Sequence, residues 1–99
     1  MAENIDDISI NYEEEGVLIV KELDKVVLSR GAWTTIIFRY QQWDGKTNDY
    51  GPDRYTIRRY RKLRGTYQAQ GKFNISSREQ AQKIVEALRA WIVDEGESS

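Results

Sequence analysis

The alternation of apolar and polar residues divides the chain into extended segments and one helical segment. Residues 17–20 and 26–28 are rich in β-branched side chains, and they predict one long strand with an irregularity near Asp24, or two short strands. Residues 33–43 contain no Gly or Pro and predict the next strand. Residues 44–53 collect Gly, Pro, Asn and Asp, which favour turn conformations, so they predict a long loop.

Two further strands follow the loop. Residues 54–63 alternate, which gives an apolar face of Tyr55, Ile57 and Leu63 and a basic face of Arg54, Thr56, Arg58, Tyr60 and Lys62. We expect the apolar face to pack in the core and the basic face to be solvent-exposed. After a turn at Arg64 and Gly65, residues 66–75 predict a fourth strand with a bend or bulge at Gly71.

The end of the chain predicts a single amphipathic helix. A capping box is formed either by Ser76 with Glu79 or by Ser77 with Gln80. The apolar stripe that follows has three- and four-residue spacing and comprises Ala81, Ile84, Val85, Leu88, Trp91 and Ile92. We expect the helix to end near Val93. The predicted fold class is therefore α+β, a four-stranded antiparallel sheet followed by one C-terminal helix.

The length of 99 residues fits a single domain, which we assign to residues 17–93. Residues 1–16 are acidic and carry few large apolar groups, so we expect a mobile acidic tail there, and a second acidic tail over residues 94–99. No apolar run approaches the roughly 20 residues that a membrane span requires, and the acidic N-terminus is unlike a signal peptide. With no Cys, the chain suits a reducing compartment, and the predicted location is the cytoplasm, associated with the nucleoid, or the nucleus in a eukaryote.

The sequence lacks the residues that several common catalytic and metal-binding sites require. The chain has no His, no Cys and no glycine-rich phosphate loop, and its acids cluster in the terminal segments and near the helix ends. Active sites need perturbed groups in a cleft. We therefore expect a protein that is not an enzyme and that uses no cofactor and no metal; a small-molecule carrier or enzyme is the least supported alternative.

The charges are segregated along the chain although the net charge is only −1. From Arg30 to Ile92 there are thirteen Lys or Arg and five Asp or Glu, which leaves a net charge of +8 in the middle of the chain. Such an excess attracts a polyanion, although it also occurs on an ordinary solvated surface.

Cations and rings together narrow the choice of polyanion. Single-stranded nucleic acid needs positive charge for its phosphates and flat rings for its unpaired bases. The basic face of residues 54–63 offers Arg54, Arg58, Lys62 and Tyr60, and Trp43 and Lys46 stand near it in the sequence. The alternative for each residue is structural: the rings of Trp43 and Tyr60 pack in the core or at an interface, and the arginines pair with Asp49, Asp53 or the acidic tail.

The order of short motifs resembles the transcriptional positive cofactor four family of single-stranded-DNA-binding proteins, including its small bacterial members. The matching residues are Val27-Leu28-Ser29 with Gly31 and Trp33, then Trp43-Asp44-Gly45-Lys46, then Tyr55-Thr56-Ile57-Arg58-Arg59-Tyr60, then Lys72, and Glu79-Gln80 before the helix. The resemblance implies base stacking at Trp43 and Tyr60, phosphate contacts from Lys46 and Arg58, and a cation at Lys72. It also implies a homodimer whose interface is formed by the helices.

The sequence thus predicts a homodimer that binds single-stranded DNA with low sequence specificity and acts in transcription, replication or repair. Leu88, Trp91 and Ile92 are the expected dimer residues, because one small sheet cannot cover the whole apolar stripe. RNA is an alternative ligand. A protein-interaction module that uses the sheet face or the strand edges is the alternative from another class.

Overall fold

The computed structural model describes residues 2–98, with side chains described as far as Val93. In chain order, a short 3₁₀ helix (Ile5–Asp7) is followed by β1 (Tyr12–Glu14), β2 (Val17–Ser29), β3 (Trp33–Asp44), β4 (Asp49–Tyr50), β5 (Arg54–Leu63), β6 (Thr66–Ile75) and α1 (Arg78–Ser98). The predicted α+β class, an antiparallel sheet with one C-terminal helix, is confirmed.

The strands form one curled antiparallel sheet in the order β1-β2-β3-β5-β6, and β4 pairs with the end of β3. The four strands expected from the sequence correspond to β2, β3, β5 and β6. The sheet has six strands rather than four, because β1 and β4 are pairings of three and two residues. Both additional strands are polar and too short to produce a recognisable alternation.

Local irregularities lie where the sequence indicates them. The register between β2 and β3 shifts between Glu22 and Asp24, which confirms the irregularity near Asp24. The register between β5 and β6 shifts where Arg59 opposes Gly71 and Tyr60 opposes Ala69, so a bulge lies beside Gly71. Arg64 and Gly65 connect the two strands with φ angles of 53° and 83°, a backbone conformation that glycine adopts without steric cost.

The helix begins at the second of the two possible capping boxes. The backbone N–H of Gln80 donates to Ser77 Oγ at 3.0 Å, and the backbone N–H of Ser76 donates to Gln80 Oε1 at 2.6 Å. α1 continues to Ser98, beyond the expected end near Val93 and through the expected acidic tail. Residues 94–98 contain no proline, and the single Gly96 weakens a helix by only about 1 kcal/mol.

The N-terminal segment, residues 2–11, lies across one face of the sheet. Ile8 and Ile10 are 4% and 7% exposed, and they belong to one hydrophobic cluster with residues of three strands: Ile36, Phe38 and Tyr40 of β3, Tyr60 of β5 and Tyr67 of β6. We call this face of the sheet the covered face. The expectation of a mobile tail over residues 1–16 is therefore corrected, because two isolated isoleucines in an acidic stretch complete the core.

Hydrogen bonds hold the N-terminal segment to β6 and to β2. The backbone N–H of Tyr67 in β6 donates to the carbonyl oxygen of Ala2 at 2.8 Å. On the other side of the sheet, Lys25 Nζ in β2 donates to the carbonyl oxygen of Ile8 at 2.6 Å, and the backbone N–H of Ile10 donates to Glu22 Oε1 at 3.2 Å. The segment therefore crosses the covered face from β6 to β2.

The opposite face, which we call the open face, is not covered by the N-terminal segment. A row of directly opposed apolar residues crosses four strands there, Val26, Ile37, Ile57 and Phe73. Val26 and Phe73 are exposed, and the two isoleucines are half-buried. The expectation that Tyr55, Ile57 and Leu63 pack in the core is corrected, since these residues lie on the open face and their neighbours Thr56 and Tyr60 are buried instead.

α1 makes its main contacts with β6 and leaves most of its apolar stripe exposed. Leu88 is 49% exposed, Trp91 65% and Ile92 63%. No described helix has the length and apolar character that crossing a membrane demands.

Candidate functional site

The structure distributes the seven predicted binding residues over three places. Strand alternation places five of them, Arg54, Arg58, Tyr60, Lys62 and Lys72, on the covered face. Trp43 is at the end of β3 in the alternation of the open face, and Lys46 is exposed in the turn that follows. The predicted basic face of residues 54–63 is thus the same face that the N-terminal segment crosses.

Arg58 and Lys72 form the centre of the cationic group on the covered face. They are directly opposed across β5 and β6, and like charges in that position repel one another. Lys72 is exposed, whereas Arg58 is half-buried. Among the described side chains, Arg58 Nε is the buried polar atom that lacks a hydrogen-bond partner. An anion that contacts both cations would relieve the repulsion.

Tyr60 is part of the core. Its side chain is 7% exposed and belongs to the cluster that contains Ile8 and Phe38. Burial raises the pKa of its hydroxyl above the ordinary value, Arg58 opposes that rise, and Glu22 adds to it. In this conformation the ring offers little surface to a nucleobase. Tyr60 therefore follows the alternative in which its ring packs in the core.

Trp43 and Lys46 lie at the other end of β3. The ring of Trp43 packs edge-on against Tyr50, with centroids 5.2 Å apart, and Lys21 Nζ lies 5.0 Å from the Tyr50 centroid. The Tyr50 hydroxyl donates to the carbonyl oxygen of Leu18 at 2.8 Å, which fixes this ring pair against β2. Trp43 lies seven positions after Ile36, the residue opposite Arg58, so the two groups are about 23 Å apart along the strand.

The β5–β6 hairpin is a concentrated source of positive charge. It contains no Asp or Glu, and it carries seven cations: Arg54, Arg58, Arg59, Arg61, Lys62, Arg64 and Lys72. Among the described side chains the one ion pair joins Arg39 to Asp53, at 3.6 Å, and involves none of the seven. Among the described side chains, no arginine of the hairpin therefore pairs within 4.0 Å with Asp49, Asp53 or an acid of the N-terminal segment.

A second cation and ring group lies on the open face and was not singled out from the sequence. Arg59 and Arg61 approach the ring of Trp33, with guanidinium carbons 4.3 Å and 5.2 Å from a ring centroid. The signal was present in the alternation, since Arg59 and Arg61 fall between Ile57 and Leu63 on the same face. The three apolar residues of that face, Tyr55, Ile57 and Leu63, instead predict a surface that packs in the core.

Neither a metal site in the described residues nor a similar known protein indicates a function. Among the described residues, no group of three or more Asp or Glu side chains is placed to hold a metal ion. Comparison of the chain with protein-family models, with curated proteins and with solved structures finds no match. The resemblance to the positive cofactor four family stays a prediction that rests on the short motifs.

Proposed function

We propose that this protein binds single-stranded DNA with low sequence specificity and without catalysis, in transcription, replication or repair. The observation that carries the proposal is the β5–β6 hairpin, whose seven cations have no ion pair among the described side chains. Phosphate contacts depend on charge and do not discriminate between bases. The location that we propose with this function is the cytoplasm, in association with the nucleoid, or the nucleus in a eukaryote.

Arg58 and Lys72 are the central phosphate contacts of this proposal. They are adjacent across the strands, and the buried Arg58 Nε lacks a partner that a phosphate oxygen can supply. Arg54 and Lys62 are exposed further along the same face of β5. Lys46 and the half-buried ring of Trp43 extend the contact at the far end of β3.

The test is a titration of labelled single-stranded and duplex oligonucleotides at two salt concentrations. We expect tighter binding of the single strand and a steep loss of affinity with salt, because each neutralised phosphate releases counterions. A parallel titration with RNA of the same sequence shows whether ribose or deoxyribose is preferred. If no oligonucleotide binds at low salt, the proposal is wrong.

The proposal includes a homodimer that forms through α1. In the single chain, about half or more of the surface of Leu88, Trp91 and Ile92 is exposed. These side chains therefore form an apolar surface in contact with water. A stable interface buries roughly 800 Å² on each partner, and one aromatic side chain supplies about 150–250 Å² at most. The whole stripe, and not Trp91 alone, must therefore be covered.

Sedimentation or light scattering tests the dimer. Leu88→Lys introduces a charge into the stripe and is expected to release monomer, whereas Gln82→Lys adds the same charge to the polar side of α1 and serves as the control. A monomer for the unaltered protein, or equal effects of both variants, contradicts the helix interface.

The apolar row on the open face supports a second candidate function, a protein-interaction module. Val26 and Phe73 are exposed at the two ends of that row. The affinity of a partner that docks on apolar side chains depends little on salt, whereas the affinity of a nucleic acid falls steeply as salt is added. The salt titration therefore separates the two candidates.

A further inference from the structure

The open face carries an exposed ring with two cations beside it. Trp33 begins β3, and its side chain is 40% exposed. The guanidinium carbon of Arg59 lies 4.3 Å from the ring centroid, and that of Arg61 lies 5.2 Å from it. These distances are within the range of cation–π contacts.

The register of the sheet produces this arrangement. Trp33 is directly opposite Arg61, and Thr35 is directly opposite Arg59, so the two arginines occupy the same face two residues apart. The turn before Trp33 is anchored to the neighbouring strands. The backbone N–H of Lys62 donates to the carbonyl oxygen of Ala32 at 2.8 Å, and the Tyr67 hydroxyl donates to that of Gly31 at 3.3 Å. The anchored turn keeps the Trp33 ring and the two guanidinium groups in a defined geometry.

The two guanidinium groups have no ion pair with any described carboxylate. Neither Arg59 nor Arg61 has a carboxylate within 4.0 Å among the described side chains. Both are exposed and contact one ring, so cation–π attraction offsets part of their mutual repulsion. An anion placed beside the ring would neutralise both groups at once.

We propose that Trp33, Arg59 and Arg61 form a nucleotide-binding subsite on the open face, which takes one unpaired base and its phosphate. The base stacks on the exposed part of the indole, and the guanidinium groups contact the phosphate oxygens. This subsite rests on the proposed function and adds a second place of contact on the face opposite Arg58 and Lys72. A nucleotide fits this group because it supplies both a flat ring and an anion, whereas an acidic peptide supplies only the anion.

The test uses the full-length protein, labelled oligothymidylate and four variants. Trp33→Ala is expected to lower the affinity about 5- to 150-fold, the effect of one lost base stack, and Trp33→Phe to retain most of it. Arg59→Gln combined with Arg61→Gln is expected to reduce the magnitude of the log–log salt slope by up to about 1.4, or about 0.7 for each lost phosphate contact. Phe73→Ala is the matched control, because it removes another exposed ring from the same face.

Each outcome has a defined meaning. If the unaltered protein binds no oligonucleotide, the proposed function itself fails. If it binds, but Trp33→Ala and the double arginine variant both bind normally, or Phe73→Ala weakens binding as much as Trp33→Ala, the subsite is overturned and the function stands. A polyglutamate peptide that displaces the oligonucleotide from the unaltered protein but not from the double arginine variant also overturns the subsite, since it identifies an acidic peptide as the ligand. Thermal melting of every variant separates loss of binding from loss of fold.

Discussion

The covered and open faces of the sheet are built by the same strands, yet they carry different chemistry. On β3, Ile36 and Phe38 are fully buried on the covered face, whereas Ile37 on the open face is half-buried. On β5, Thr56 is fully buried and Arg59 is exposed. The N-terminal segment makes the difference, because it packs on one face only. Which face becomes the core is thus decided by a segment distant in sequence.

The largest contrast between the faces is expected in stability. Phe38→Ala removes a fully buried ring and is expected to lower the free energy of unfolding by about 3–5 kcal/mol. Val26→Ala, on the open face, is expected to change it by less than about 0.5 kcal/mol. Urea denaturation measures both. Equal losses would contradict the contrast and indicate that a second molecule covers the open face.

The N-terminal segment is expected to contribute nearly as much. Ile8→Ala removes a side chain that is buried against the sheet and is expected to cost about 2–5 kcal/mol. Glu3→Ala, in the same segment but exposed, is the control. Unchanged stability of Ile8→Ala in urea would restore the interpretation of residues 1–16 as a mobile tail.

Tyr60 makes the covered face sensitive to alkaline pH. Because burial raises its pKa in the folded state, the neutral form is favoured there, and stability is fully present below the ordinary tyrosine pKa of about 10. Stability is lost as the pH rises through the folded pKa. Tyr60→Phe is expected to reduce this loss in thermal melting at rising pH, whereas Tyr12→Phe, which is exposed, leaves it unchanged. Identical pH profiles for both variants would contradict the assignment.

The smallest effect is expected from the acids of the N-terminal segment. Glu3, Asp6 and Asp7 line a groove of about 410 Å³ together with Arg30 and Lys62. Changing the three acids to their amides is expected to raise the affinity for single-stranded DNA a few-fold at low salt and to have little effect at high salt. Glu13→Gln with Glu14→Gln in β1 is the control. Equal gains from both sets would show that only net charge matters.

The strands and the helix follow from local sequence, whereas the choice of face does not. β-branched and aromatic residues in uninterrupted runs predict β3 and β5, and Ser77 with Gln80 predicts the start of α1. Alternation on β5 separates Arg58 from Arg59, but both faces contain rings and cations. Local pattern therefore cannot determine which face is buried.

The covering segment escaped prediction for a related reason. Ile8 and Ile10 are isolated apolar residues among Asp6, Asp7 and Ser9, and they produce neither a strand nor a helix pattern of useful length. Their burial depends on Lys25 and Glu22, which bind the backbone of the segment from β2. The predicted site consequently included Tyr60, a core residue, and no binding role was predicted for Trp33.

The central claim is that the cations of the β5–β6 hairpin bind the phosphates of single-stranded nucleic acid. The salt dependence of oligonucleotide affinity tests it most directly, measured for Arg58→Gln with Lys72→Gln against Lys83→Gln on α1, which removes an exposed cation outside the hairpin. We expect the hairpin variant to reduce the magnitude of the log–log slope by about 1.4, or about 0.7 for each lost contact, and the helix variant to leave it unchanged. Equal slopes for the hairpin variant and the unaltered protein would contradict the account.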